Sequence, residues 1–171
     1  MLKNKSLFLA LIYALLFSAA VCTVFYGGHM KYITHVYFIG LLFMLPFVYA
    51  AVWFKRKEVH QGEVGGREAG KDGLLFVVLV TFFLVVFQVL FYEISFRDYK
   101  INYIQTAGPQ ILKEQIAAGK MKITEAEIPK IIATDAEGVT LFKEVTSVIF
   151  KTFFYGGFCA LISAVLLKRK V

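Results

Sequence analysis

Ionisable side chains inside long apolar runs are the residues best placed to do chemistry in this sequence, because a charge held away from water needs a partner or a proton path. Two stand out, Glu93 near the end of the third such run and Lys151 near the start of the fourth. Counted at about 1.5 Å per residue from the basic ends of their runs, they lie about 28 Å and about 24 Å along the helix axis. At that shared depth a carboxylate and an ammonium are expected to pair. Both are close enough to the surface to snorkel, which favours a structural ion pair over an ion or proton path. Gln88, deeper in the third run, is expected to hydrogen-bond between helices.

Other groupings fall short of a site. His29 and His35 flank Met30, with Cys22 one or two turns below, but no carboxylate or second thiol joins them, so no metal is expected. Residues Gly65-Gly66-Arg67-Glu68-Ala69-Gly70-Lys71 carry the G-x-x-x-x-G-K skeleton of a phosphate-binding loop. Asp72 stands where that loop needs Ser or Thr, and no buried strand precedes it, so the segment reads as a flexible connector. No Ser-His-Asp or Cys-His grouping lies at one depth. The sequence is therefore expected to encode no enzyme and to bind no cofactor. Cys22 and Cys159 sit in apolar runs as small hydrophobes, which gives no disulfide framework.

Small residues recur every fourth position at Ala10, Ala14, Ser18 and Cys22, and again at Gly156, Ala160 and Ala164. In lipid such stripes let backbones approach closely. The first and fourth helices are expected to pack antiparallel through them, with Cys22 near Gly156, Ser18 near Ala160 and Ala14 near Ala164.

The elements that carry these residues are four continuous apolar runs, 7–26, 33–54, 74–96 and 145–167. About 20 helical residues cover a hydrocarbon core of about 30 Å, and runs without alternation argue against barrel strands. Hydrophobic residues make up 58% of the chain, with 18 Phe and 9 Tyr against one Trp, a composition suited to helices facing lipid tails. The expected fold is all-α, an integral membrane four-helix bundle forming one domain over residues 1–171, with a short helical extracytoplasmic loop over 97–144. Unbroken spans are part of that expectation.

Charge sets the orientation. Lys3, Lys5, Lys55, Arg56, Lys57, Arg67, Lys71, Lys168, Arg169 and Lys170 crowd one side, which makes it cytoplasmic and places both termini there. The net charge of +7 gathers in these clusters and lines no helix face, so the expected counterpart is lipid headgroups and not nucleic acid. Lys3 and Lys5 before an apolar run, with Ser18-Ala19-Ala20 inside it, resemble a signal peptide, but the run exceeds the roughly 7 to 15 residues of such a core. Val21 before Cys22 spoils a lipoprotein site. In the long loop, Pro109 marks a helix start and Gly119 a helix end. Thr124 and Glu127 form a capping box opening a second helix toward Glu137, with Gly138 beyond it and Pro129 expected to distort its first turn. Neither helix has a long apolar stripe.

The order of two spans, then Gly66-Arg67-Glu68-Ala69-Gly70-Lys71-Asp72-Gly73, a third span, Ile111-Leu112-Lys113-Glu114-Gln115, and a last span closing on Leu167-Lys168-Arg169-Lys170 resembles the bacterial membrane family of domain of unknown function 4199. Gly66 and Gly70 stand where that family carries aromatic residues. The resemblance implies a multi-pass protein of the inner membrane and brings no catalytic residue or substrate. The function expected is that of a packing or partner-binding membrane subunit, with a membrane protein or a second copy as partner. An oligomeric transporter or channel is the alternative.

Overall fold

The computed structural model describes residues 5–29, 32–59 and 64–167; Lys3, Met30, Lys168, Arg169 and Lys170 lie outside them. Among the described residues every regular element is a helix. Four helical segments, Lys5–Tyr26, Ile33–Glu58, Gly66–Ala117 and Leu141–Leu167, are long and apolar enough to cross a membrane. The chain forms two compact units, Met1–Phe87 with Val148–Val171, and Gln88–Ser147.

In the first unit, α1 (Lys5–Tyr26) ends where Gly28 takes a φ of 74°. The His29 amide then reaches the Val24 carbonyl at 3.0 Å and the Gly28 amide reaches Phe25 at 3.1 Å, which closes the helix without leaving those carbonyls orphaned. The second span, Ile33–Glu58, is interrupted at the single residue Phe43, between α2 (Ile33–Leu42) and α3 (Met44–Glu58). Phe43 keeps a φ of −64° and its amide stays on the Ile39 carbonyl at 3.0 Å, so the departure from the expected unbroken span is a local break in regularity. Pro46 supplies the cause. Its ring has no N–H to offer the Leu42 carbonyl and crowds that carbonyl, so one bond of the ladder is lost there.

The third span opens earlier than its apolar run suggests. Gly66 already starts α4 (Gly66–Phe91), and the segment expected to be a flexible connector forms its first two turns. Glu68 accepts a hydrogen bond from the Gly65 amide at 3.4 Å, and its charge suits a helix N-terminus. Ala69 and Gly73, one turn apart, are buried.

In the second unit α4 runs into a π-helical turn, Tyr92–Phe96, and then into α5 (Arg97–Ala117) with no loop. Pro109 therefore lies inside α5 and does not start it. Proline there costs one ladder hydrogen bond. A tertiary contact holds the helix through it, because Gly108 is so near α6 that an added methyl would lie 2.5 Å from Ile132 Cδ1. Gly119, at a φ of 67°, ends α5, with the Lys120 amide on the Gln115 carbonyl and its own amide on Ile116, each at 2.9 Å. The capping box of Thr124 and Glu127 is present and opens a 3₁₀ turn, Glu125–Glu127, followed by α6 (Ile128–Glu137). Because α6 begins at Ile128, Pro129 sits in its first turn, where a missing N–H costs nothing, and the departure from α-helical geometry expected near Pro129 falls just before it, in the 3₁₀ turn. Leu141 then opens α7 (Leu141–Leu167), which enters the first unit at Val148.

Candidate functional site

The first unit is organised around its broken second span. Against α1, Tyr13 and Phe47 meet edge to face with centroids 5.3 Å apart, as do Phe17 and Tyr37. The Tyr13 hydroxyl donates to the Gly40 carbonyl at 2.8 Å, which satisfies a backbone group next to the break. Gly40 lets the two helices approach, since a methyl there would lie 2.4 Å from the Phe17 ring. Against α7, Phe38 meets Tyr155 at 6.0 Å, and the Lys151 ammonium lies 5.6 Å from the centre of the Tyr37 ring.

At the basic end of the same unit, charged groups tie the spans together. Lys5 of α1 pairs with Glu58 of α3. Lys55 of α3 pairs with Asp72 of α4 at 2.8 Å, so the residue that spoils the phosphate-loop pattern holds the second and third spans together. Arg56 Nη1 donates to the Leu167 carbonyl at 3.4 Å, satisfying one of the last carbonyls of α7. Lys57 lies over the Trp53 ring at 4.0 Å.

Of the small residues singled out in the sequence, Ala10, Ala14, Ser18, Gly156, Ala160 and Ala164 are buried and Cys22 is half-buried. The fourth-span stripe finds its close neighbours on the third and second spans. A methyl at Gly156 would lie 2.6 Å from Val77 Cγ1 and 3.0 Å from Met44 Sδ, and one at Gly73 would lie 2.8 Å from Ala160 Cβ and 3.1 Å from Ala160 Cα. One at Gly70 would lie 4.0 Å from Ala164 Cβ. These contacts set an antiparallel register of Gly70 with Ala164, Gly73 with Ala160 and Val77 with Gly156. The partner expected for Gly156 was Cys22; its nearest atoms belong to Val77 and Met44. The reason is the early start of α4. Once Gly66–Gly73 is helical, the third span presents small residues of its own, which a reading that began that span at Leu74 leaves in a loop.

The second unit holds a cleft built on the π-helical turn. The Arg97 amide bonds back to the Tyr92 carbonyl, a wide turn that swings the next side chains out of α-helical register. Tyr92 is buried, and its hydroxyl donates to the Val139 carbonyl at 2.9 Å, pinning the corner between α6 and α7 to the turn. Arg97, Ile101, Glu137, Val139, Thr140 and Leu141 then line an open cleft of about 440 Å³. Opposite charges and an aliphatic floor face the same space. A smaller cavity of about 80 Å³ is lined by Tyr92, Glu93, Ser95, Arg97 and Asp98, so Tyr92 and Arg97 border both. Lys100 pairs with Glu144 across the base of the unit and lies 5.2 Å from the Phe96 ring centre. The backbone amide of Thr124, and then its hydroxyl, hold the Glu127 carboxyl below the usual carboxylate range.

Glu93 is exposed in the π-helical turn of the second unit, and Lys151 is exposed beside Tyr37 in the first. Gln88 is buried. No set of three His, Cys, Asp or Glu side chains is placed for a metal among the described residues, and both cysteines are free thiols. The sequence reading missed Tyr92, Arg97, Glu137 and Thr140. Gly138 after Glu137 marks their corner, but a π-helical turn has no signature in residue type.

These elements define an all-helical, multi-pass membrane protein that carries a separate helical unit with an open cleft. The chain belongs to the family described as Protein of unknown function (DUF4199), whose model matches residues 6–169. No curated protein and no solved structure matches it.

Proposed function

We propose that this protein is a non-enzymatic subunit of the bacterial inner membrane that engages a membrane partner, or a second copy of itself, through the Gln88–Ser147 unit. Both termini and the basic end lie in the cytoplasm, and that unit is extracytoplasmic. The observation that carries the reading is the cleft between the π-helical turn and the corner at Gly138, where Arg97 and Glu137 face an apolar floor. A partial aliphatic surface with one charge of each sign at its rim suits a protein side chain cluster better than a single small anion. The orientation is supported by Lys5, Lys55, Arg56 and Lys57 at one end of the first unit, following the excess of basic residues on cytoplasmic sides.

The reading is tested by purifying the full chain from native membranes in mild detergent, as wild type and as Arg97→Glu. A partner, or a second copy, recovered in fixed ratio with the wild type and lost from the variant supports it. A wild-type chain recovered alone and monomeric contradicts it. Reporter fusions after Glu58 and after Gly119 are expected to report the cytoplasm and the exterior respectively. The break at Phe43 favours a second reading, an oligomeric transporter or channel, because interrupted helices line pathways in transporters.

A further inference from the structure

A groove runs between the first and second spans, bordered by Tyr13, Leu16, Phe17 and Ala20 on α1 and by Ile39, Gly40 and Phe43 around the break in the second span. Its volume is about 320 Å³, at the small end of ligand sites, which begin near about 300 Å³. The break makes it. Phe43, whose amide stays on the Ile39 carbonyl at 3.0 Å, is the one residue between α2 and α3, and Gly40 and Ala20 put little bulk into the space between the helices.

Three observations decide what fills it. The one hydroxyl on its wall, that of Tyr13, already donates to the Gly40 carbonyl, so no side-chain donor is left there to hold water, which needs two or more polar partners. Its lining lies in the middle of two spans, eight or more residues from Lys5, where the surrounding medium is hydrocarbon. Leu16, Ile39 and Phe43 at its mouth are 60%, 52% and 64% exposed, so it opens sideways to that medium. An unbranched chain without polar atoms can enter by that route. We propose that this groove is a binding site for one acyl chain of a membrane phospholipid, held beside the break in the second span.

The full-length protein in nanodiscs containing a phosphatidylethanolamine with a diazirine midway along one acyl chain provides the test. After photolysis, labelled residues are mapped by mass spectrometry. Labelling at Leu16, Ala20, Ile39 and Phe43 is expected to exceed by about five-fold or more that at Leu161 and Val165, which are 64% and 61% exposed on the fourth span and do not line this groove. Ala20→Leu should fill the groove and bring its labelling down to that level, leaving the fourth span unchanged. Leu16→Phe, at an exposed position that no core contact constrains, should give the same loss if Ala20→Leu disturbs folding. Equal labelling of groove and fourth span in the wild type overturns the proposal. So does groove labelling that survives in a folded filling variant, or labelling by a diazirine fatty acid with none from the phospholipid.

Discussion

The two units of this protein achieve helix packing in different ways. In the first, contacts are made where side chains are absent: Gly73 against Ala160, Gly156 against Val77 and Met44, Gly40 against Phe17. Lipid tails are as apolar as leucine, so burying one more leucine gains little, and the distance of closest approach decides how much dispersion energy the helices share. In the second unit the contacts are of the kind found in water. A capping box at Thr124, a glycine-closed C-terminus at Gly119, the Lys100–Glu144 pair and the short apolar face of Ile128, Ile131 and Ile132 on α6 hold it. The difference follows position along the helices: inside the spans the close contacts are made by small residues at helical spacing, whereas caps and charges hold the second unit and, through Lys5–Glu58 and Lys55–Asp72, the basic end of the first.

The adjacent glycines 156 and 157 give the sharpest way to break that contrast. Gly156→Leu drives a side chain into Val77 and is expected to destabilise the first unit by about 1–3 kcal/mol, in the range of overpacked cores. Gly157 has open space where its Cβ would be, so Gly157→Leu should stay within about 0.5 kcal/mol of wild type, in the range of surface substitutions. Thermal unfolding in detergent reads both, and equal losses would mean that close approach does not govern the packing. Thr124→Ala removes the hydroxyl of the capping box and should cost about 1 kcal/mol. The loss should appear as faster hydrogen exchange confined to 124–137. Tyr13→Phe leaves the Gly40 carbonyl without its side-chain donor, and polar contacts in membranes average about 0.6 kcal/mol, so a loss of that order is expected in the first unit only.

The smallest effect is electrostatic. Glu127 is held below the usual carboxylate range, so the capping box stabilises the second unit fully above the ordinary Glu value of about 4.3, and the contribution is lost as pH falls through the lower folded value. Carbon-13 titration of the Glu127 carboxyl should show a midpoint below that of an unperturbed glutamate. In Thr124→Val the midpoint should move part of the way back, because the backbone amide remains.

Much of this was legible in the sequence, for reasons particular to each element. The four spans follow from continuous apolar length, and Gly119 and the Thr124–Glu127 box are local rules that tertiary structure left in force. The start of α4 was not legible, because three glycines among charges at Gly66–Gly73 read as a loop; burial of Ala69 and the approach of Gly70 and Gly73 to the fourth span override the poor propensity. Pro46 carried the break at Phe43 openly, yet a hydropathy run passes over it. Pro109 misleads in the opposite direction, since the contact between Gly108 and Ile132 carries α5 through it. The cleft depends on the π-helical turn at Tyr92–Phe96 and on Tyr92 reaching Val139, a contact between residues far apart in the chain.

The central claim is that the cleft of the second unit holds a protein partner. A photoreactive phenylalanine analogue placed in living cells at Thr140, on the cleft, and separately at Gln110, exposed on α5 and outside it, tests this most directly. The account predicts one discrete adduct of higher mass from position 140, absent from position 110 and lost when Arg97→Glu is added. No adduct at 140, or the same adducts from both positions, would contradict it.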